Sequence, residues 1–468
     1  VNKLAQRALD QALALNQRIS ETTANAVDWL FKRDTLIQSG RTWFELIYDS
    51  DLMAVRFYEL PGEEDIELAD GSRMPIRREQ YPVPLVLVPP LGVTTETFDL
   101  LPQRSLVRYM VASGFRVYLV DWGKPGKEHA HLGLADYAFT MLGTAVEKIR
   151  RHSGSQDLSM MGWCLGGLLC LMHQGLMKDE HIRNIVTVAS PIDLESGEGV
   201  IGAVSGVAQA LDGPAKLVSS YTNLRLNTLD PARFSVPDWL TPIVFKMTDP
   251  LSSVTTYWDL VTRLWDREFV VSYSTTSDYL NNMLRYPGGV LKDMAGSMLT
   301  ENQLARGRVT IGDRVAELDS IESSLLAFAG KTDNMVPAEV AKKSVEVVAT
   351  DDAEFRIAPG GHMGVIIGSK AQKVVWAEMA EWLSTRSGEP PKAKRAGRKA
   401  GAAPRKKPAG RPAGKRAPAK ASKAGPRKAG PRKTGPRKAG PRKAGPRKTA
   451  PRKAGPRKAG PRKAGPQS

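Results

Sequence analysis

Gly162-Trp163-Cys164-Leu165-Gly166-Gly167 is the stretch on which the reading of this chain turns. It follows the short apolar run Leu158-Ser159-Met160-Met161 and leads into Leu168-Leu169-Cys170-Leu171-Met172. A strand, a sharp glycine-bounded turn and a buried helix are therefore expected in succession, the context of a nucleophile elbow. The glycines suit a strained turn at which flanking side chains would collide. The nucleophile in such a turn would be Cys164, and the N–H of Leu165 at the helix start would face a developing oxyanion. Taken alone, the box also fits a buried structural thiol.

Two further segments separate these readings. Gly330-Lys331-Thr332-Asp333-Asn334-Met335-Val336-Pro337 follows the apolar run Leu325-Leu326-Ala327-Phe328-Ala329, and Gly360-Gly361-His362-Met363-Gly364 follows Phe355-Arg356-Ile357-Ala358. Each places a catalytic type of residue on a Gly- or Pro-rich turn just past a strand. The order nucleophile, acid, histidine is that of an α/β-hydrolase triad, here Cys164, Asp333 and His362. The expected core is thus α/β: a mostly parallel sheet flanked by helices. Its buried strand Pro84-Leu85-Val86-Leu87-Val88 ends in Pro89-Pro90-Leu91-Gly92, and the N–H of Leu91 is the expected second oxyanion donor.

These residues also carry a resemblance. The box G-W-C-L-G-G resembles the lipase-like box of poly(3-hydroxyalkanoate) synthases. Val117-Tyr118-Leu119-Val120-Asp121-Trp122-Gly123, Gly330 to Pro337 and Gly360-Gly361-His362-Met363-Gly364-Val365 are similar to that family too. The likeness runs through most of residues 1 to about 385. The short region ahead of the cysteine resembles the class III and IV synthases, which implies a second synthase subunit and allows a homodimer. The resemblance implies polymerisation of (R)-3-hydroxyacyl-CoA, with the coenzyme A thioester as substrate, no cofactor, and association with polymer granules.

The chain has 468 residues, 67 Lys plus Arg and 49 Asp plus Glu, for a net charge of +18. Of the basic residues, 29 fall after residue 389, where no acidic residue occurs, which leaves 38 basic against 49 acidic ahead of it. The body is therefore acidic, at −11, and the tail strongly basic, so the partners of each are argued separately. No apolar run approaches the roughly 18 residues of a membrane span. The N-terminus lacks a secretory layout. The two cysteines, Cys164 and Cys170, sit six apart, which suits a reducing cytoplasm.

Five regions are expected. Residues 1–80 are a helical lead-in, from the spacing of Leu4, Ala8, Leu13, Leu15, Val27, Leu30, Phe31, Leu36 and Phe44. Residues 81–194 and 309–386 form the two parts of the core. Between them, 195–308 is a cap insertion, with Trp239, Phe245, Trp258, Trp265, Phe269 and Tyr273 among Pro and Asp breaks. Residues 387–468 are a disordered tail that from Ala424 repeats Ala-Gly-Pro-Arg-Lys. With a Pro in nearly every unit and no branched apolar residue, it cannot bury a core. Its expected partner is DNA, the nucleoid or another polyanion, bound by counterion release, or an anionic granule surface. It is similar to histone H1-like basic tails.

Three features are decoys. Gly197-Glu198-Gly199-Val200-Ile201-Gly202 fits a dinucleotide fingerprint in letters but is not followed by a strand ending in an acid. His129 and His131 have no metal-ligand motif around them, so no metal is expected. Asp121 and Trp122 end a strand near the site and are read as packing and capping residues. Two functional alternatives to the synthase stay open: a thiol-dependent esterase or thioesterase on the same fold, and a nucleoid-associated protein with a degenerate hydrolase body.

Overall fold

The computed structural model describes residues 3–196 and 259–388. At its centre is an eight-stranded sheet. Its strands are β1 (Phe44–Asp49), β2 (Ala54–Tyr58), β3 (Leu85–Val88), β4 (Val117–Asp121), β5 (Leu158–Trp163), β6 (Ile182–Val188), β7 (Ser324–Gly330) and β8 (Ala353–Ala358). In space they run β1-β2-β4-β3-β5-β6-β7-β8. The two β1–β2 and β2–β4 pairings are antiparallel, and every later pairing is parallel.

Strands β3 and β5 are buried along their whole length. That is why Leu85-Val86-Leu87-Val88 and Leu158 to Trp163 read as near-continuous apolar runs rather than alternating ones. Two hydrophobic layers result. One holds the inner faces of α3 (Leu142–Ser153), α4 (Leu165–Met177) and α7 (Ala338–Val347). The other holds α2 (Leu106–Ala112) and α9 (Ala377–Ser384). Helix α4 is enclosed from Leu165 to Gly175, so its N-terminus is held rigidly against the end of β5.

The lead-in differs from expectation. Helix α1 (Lys3–Phe31) and a single 3-10 turn (Arg33–Leu36) are followed by β1 and β2, so the sheet begins at Phe44 and residues 1–80 are not a helical unit. In β2 the side chains alternate, with Val55 and Phe57 buried and Arg56 less so, the period of a strand rather than a helix. The hairpin covers the edge of β4 that would otherwise be left unpaired.

Of the expected cap, residues 197–258 lie outside the described residues, and with them the 197–202 glycine motif. The described remainder contains α5 (Arg267–Asn281), capped by the Asp266 carboxylate accepting from Phe269 N, and α6 (Gly288–Asp293). Asn25 on α1 donates to the Leu264 carbonyl at 2.7 Å, and Asp28 pairs with Arg267 at 2.7 Å. The short helix α8 (Gly364–Ile367) follows the histidine turn. From residue 389 the basic tail lies outside the described residues. Among the described residues, no helix is long and apolar enough to cross a membrane.

Candidate active site

Cys164 sits between β5 and α4 with φ 52° and ψ −122°, a left-handed conformation that non-glycine residues rarely adopt. Its N–H donates to the Val188 carbonyl at 2.8 Å, which ties the elbow to the end of β6. The turn is tight enough to exclude side chains. A Cβ at Gly162 would lie 2.3 Å from Gly166 C and Gly167 N, and one at Gly166 would lie 2.1 Å from the Val88 carbonyl oxygen. The second contact presses the start of α4 onto the end of β3, where the Pro89-Pro90-Leu91 loop begins. Cys164 is only partly buried, whereas Cys170, one turn and a half along α4, is fully enclosed, and burial pushes its thiol pKa far up.

The acid and the histidine meet because the loops after β7 and β8 continue the sheet pairing beyond the strands. Lys331 N donates to Ala358 O at 2.8 Å and Thr332 N to Gly360 O at 3.1 Å. His362 Nδ1 is then 2.9 Å from Asp333 Oδ2, with the residues 6% and 5% exposed. The other carboxylate oxygen accepts from Met335 N at 2.9 Å and Val336 N at 2.8 Å, so Asp333 is fixed by its own turn. The Trp163 ring lies against the imidazole, centroids 5.4 Å apart.

Burial pulls the His362 pKa down, but the Cys164 sulfur and the Asp333 carboxylate outweigh it and push the value up to about 10. With Nδ1 taken by Asp333, the nitrogen left for the sulfur is Nε2, which is buried and meets no group but the Cys164 side chain among the described residues. The arrangement can pass a proton between sulfur and imidazole while a carboxylate holds the ring.

Leu91 and Leu165 are both buried, on either side of the contact between the β3 loop and the α4 N-terminus. Trp122 Nε1 donates to the Pro89 carbonyl at 2.9 Å, bracing that loop. Asp121 pairs with Arg56 and accepts from Gly123 N at 2.9 Å. His129 Nδ1 accepts from Gly126 N at 3.0 Å and His131 Nδ1 bonds the Glu128 carbonyl at 2.9 Å, so both histidines serve their own loop. Among the described residues no cluster of metal-ligating side chains is present.

Sequence reasoning missed the strap that crosses the site ahead of α6. Leu284 N donates to Gly92 O at 2.8 Å, and the Tyr286 ring lies over Gly92. The one local signal was an aromatic residue before Pro287-Gly288-Gly289, in a stretch without periodicity. A cavity of about 640 Å³ lies beside the strap, lined by Thr94 and Lys124 on the core side and Leu284 and Arg285 on the strap, and Cys164, Asp333 and His362 are not among its lining residues.

Residues 84–218 match the family model described as alpha/beta hydrolase fold. The chain has the α/β-hydrolase fold. Within it, the elbow, acid and histidine occupy the ends of β5, β7 and β8. The chain is similar to the poly(3-hydroxyalkanoate) polymerase subunit PhaC of Haloferax mediterranei, 25% identical over 82% of this chain and 71% of that protein. It is also similar to the subunit of the same name from Allochromatium vinosum, 25% identical over 82% of this chain and 98% of that protein. The structure of a Paleococcus ferrophilus monoacylglycerol lipase covers 67% of this chain and 100% of its own, at 17% identity and a TM-score of 0.39. At that score it adds no argument, and the hydrolase-fold assignment rests on the strand order and the family model.

Proposed function

We propose that this protein is a poly(3-hydroxyalkanoate) polymerase, an acyltransferase that builds a polyester from (R)-3-hydroxyacyl-CoA through a thioester on Cys164. The observation that carries this reading is a cysteine on a left-handed elbow beside the buried His362–Asp333 pair. The similarity of the chain to polymerase subunits supports the choice of substrate.

In the loading step the proton of Cys164 Sγ already rests on His362 Nε2, held there by the sulfur and Asp333, and the sulfur attacks the thioester carbonyl carbon. The N–H groups of Leu165 and Leu91 meet the charge on the carbonyl oxygen. The bond to the CoA sulfur then breaks, and that sulfur leaves with the proton held by His362. One thioester has replaced another, so the acyl group stays activated, which a serine ester would not achieve. In the extension step His362 takes the proton of a 3-hydroxyl whose oxygen attacks an acyl thioester. An ester forms, the carbon–sulfur bond breaks, and the departing sulfur is reprotonated. Asp333 orients the imidazole throughout.

A thioesterase would use the same residues with water as the acceptor. The second glycine of the box and the named relatives favour the polymerase. The test is purified protein with 3-hydroxybutyryl-CoA and longer homologues, measuring free thiol, polymer and the mass of acylated Cys164. Thiol release with polymer supports the proposal, thiol release with free hydroxy acid makes the protein a hydrolase, and an enzyme never acylated at Cys164 refutes both.

The relatives' designation as subunits supports a second chain in the active assembly. The tail, with 29 basic residues and no acid, supports binding of DNA or another polyanion, and with it placement of cytoplasmic granules against the nucleoid.

A further inference from the structure

The strap carries a hydroxyl that the mechanism above does not use. It is pinned on both sides of Tyr286: by the bond from Leu284 N to Gly92 O at 2.8 Å, and at Gly289, where a Cβ would lie 2.4 Å from the Leu132 carbonyl oxygen. Between these pins the Tyr286 ring is so close to Gly92 that a Cβ there, at φ +83°, would lie 2.3 Å from a ring carbon. Gly92 is the residue after Leu91, the expected oxyanion donor. The ring packs against the cluster that contains Leu91, Trp122, Tyr137 and Leu165.

Tyr137 stands in the same cluster. It is 0% exposed, lies on the π-helical turn Asp136–Met141, and meets Trp122 edge-on at 5.4 Å. Turns of this kind recur at functional sites. Its hydroxyl has no hydrogen-bond partner among the described residues. The Tyr286 ring is half-buried against the same cluster, and its hydroxyl lies in the fields of both Cys164 and Tyr137. Burial pushes both phenols above their ordinary pKa, and negative charge on Cys164 adds to this at Tyr286, so each stays an O–H donor. Buried hydroxyls are rarely left unpaired, because the loss of water is then uncompensated. The unpaired Tyr137 hydroxyl, next to a Tyr286 phenol that stands near the nucleophile, is placed for an oxygen that arrives with the ligand.

We infer that Tyr286, backed by Tyr137, receives an oxygen on the β-carbon of the acyl group and thereby selects 3-oxygenated acyl thioesters over plain ones. The inference rests on the reading of Cys164 as the acylated residue. With the thioester carbonyl at the Leu91 and Leu165 N–H groups, the β-carbon is two bonds away, on the side roofed by the strap. A 3-hydroxyl there accepts from a phenol, and so does the 3-ester oxygen of a growing chain. A saturated acyl group offers no partner and leaves the donors unpaired, the situation in which hydrogen-bonding sites discriminate well.

The test is single-turnover acylation of the purified full chain by 3-hydroxybutyryl-CoA and by butyryl-CoA, read by intact mass and CoA thiol. The wild-type protein is expected to favour the hydroxylated substrate. Tyr286→Phe should lower the ratio of the two rates about tenfold, and Tyr137→Phe by a smaller factor, as expected for loss of one ligand hydrogen bond. A ratio unchanged in both variants, or both substrates slowed by one factor, overturns the inference and makes the tyrosines structural or water-binding. Acylation by neither substrate in the wild type instead overturns the reading of Cys164, and the inference falls with it.

Discussion

His362 Nδ1 and Asp333 Oδ2 stand 2.9 Å apart in a pocket that excludes almost all solvent from both residues. They are brought there by two loops that pair with each other beyond the ends of β7 and β8. The other Asp333 oxygen is already occupied by two backbone N–H groups, so the carboxylate has one free direction, and the imidazole fills it. A base positioned this way is oriented by the backbone before any substrate arrives.

Replacement of either residue should therefore be severe and should not add to loss of the nucleophile. Asp333→Asn, which keeps the shape but presents the wrong hydrogen-bonding partner to the imidazole, is expected to lower turnover on the order of 10³- to 10⁴-fold. The double variant with Cys164→Ala should be no slower than Cys164→Ala alone. Steady-state CoA release measures both, and near wild-type turnover in Asp333→Asn would remove that residue from the site.

The two cysteines should behave oppositely. Cys164 is partly open, whereas Cys170 is enclosed and its thiol is held protonated by burial. Iodoacetamide should label Cys164 alone, and activity should fall in step with labelling. Cys164→Ser should lose at least about 10³-fold in turnover, as for removal of a nucleophile, while Cys170→Ser should cost no more than a few-fold. Peptide mass mapping together with CoA release checks both statements.

The pH dependence of stability follows from His362. Its pKa is raised from 6.5 to about 10 in the folded protein, so folding takes up a proton between those values. The stabilisation is complete below about pH 6.5 and is lost as pH rises toward 10. His362→Gln should flatten the decline of Tm across that window. Thermal melts of both proteins from pH 6 to 10 measure it, and parallel curves would count against the charged pair.

Gly166 has no room for a side chain, because its Cβ position is 2.1 Å from the Val88 carbonyl oxygen, a backbone atom that cannot rotate away. Gly166→Ala should push α4 off the end of β3, destabilise the fold by about 1–3 kcal/mol, and lower acylation more than stability, since it separates the Leu91 and Leu165 N–H groups. Chemical denaturation and single-turnover acylation together read the two effects.

Truncation after Ser387 removes all 29 basic residues of the tail and leaves an acidic body. DNA binding by the full chain should be indifferent to sequence and fall steeply with salt, because each phosphate contact releases a counterion. The truncated chain should lose it while its CoA release is unchanged. Salt titrations of binding to two unrelated duplexes decide, and a salt-insensitive affinity would refute the account.

Much of the core was legible in the chain alone, and for local reasons. The runs around Leu85–Val88 and Leu158–Trp163 are apolar because both faces of those strands are covered. The glycines around Cys164 announce a turn that no side chain could enter, and the Asp333 and His362 segments each pair a strand with a Gly- or Pro-rich loop. Order along the chain was enough to propose a triad. The hairpin β1–β2 escapes a local reading as strand, since no residue of β1 is buried and its side chains do not alternate between core and solvent.

What the linear order of residues could not contain is how segments far apart in the chain come to face one another. Whether His362 touches Asp333 depends on the register between β7 and β8, which backbone hydrogen bonds set after the chain has folded. Tyr286 and Tyr137 are separated by 149 positions and share no motif, yet one hydrophobic cluster brings them together, and Tyr286 within reach of the Cys164 sulfur. Local chemistry is written in neighbouring residues and can be read there. A site assembled from the ends of separate strands and a strap across them exists only once burial of the core has fixed their distances.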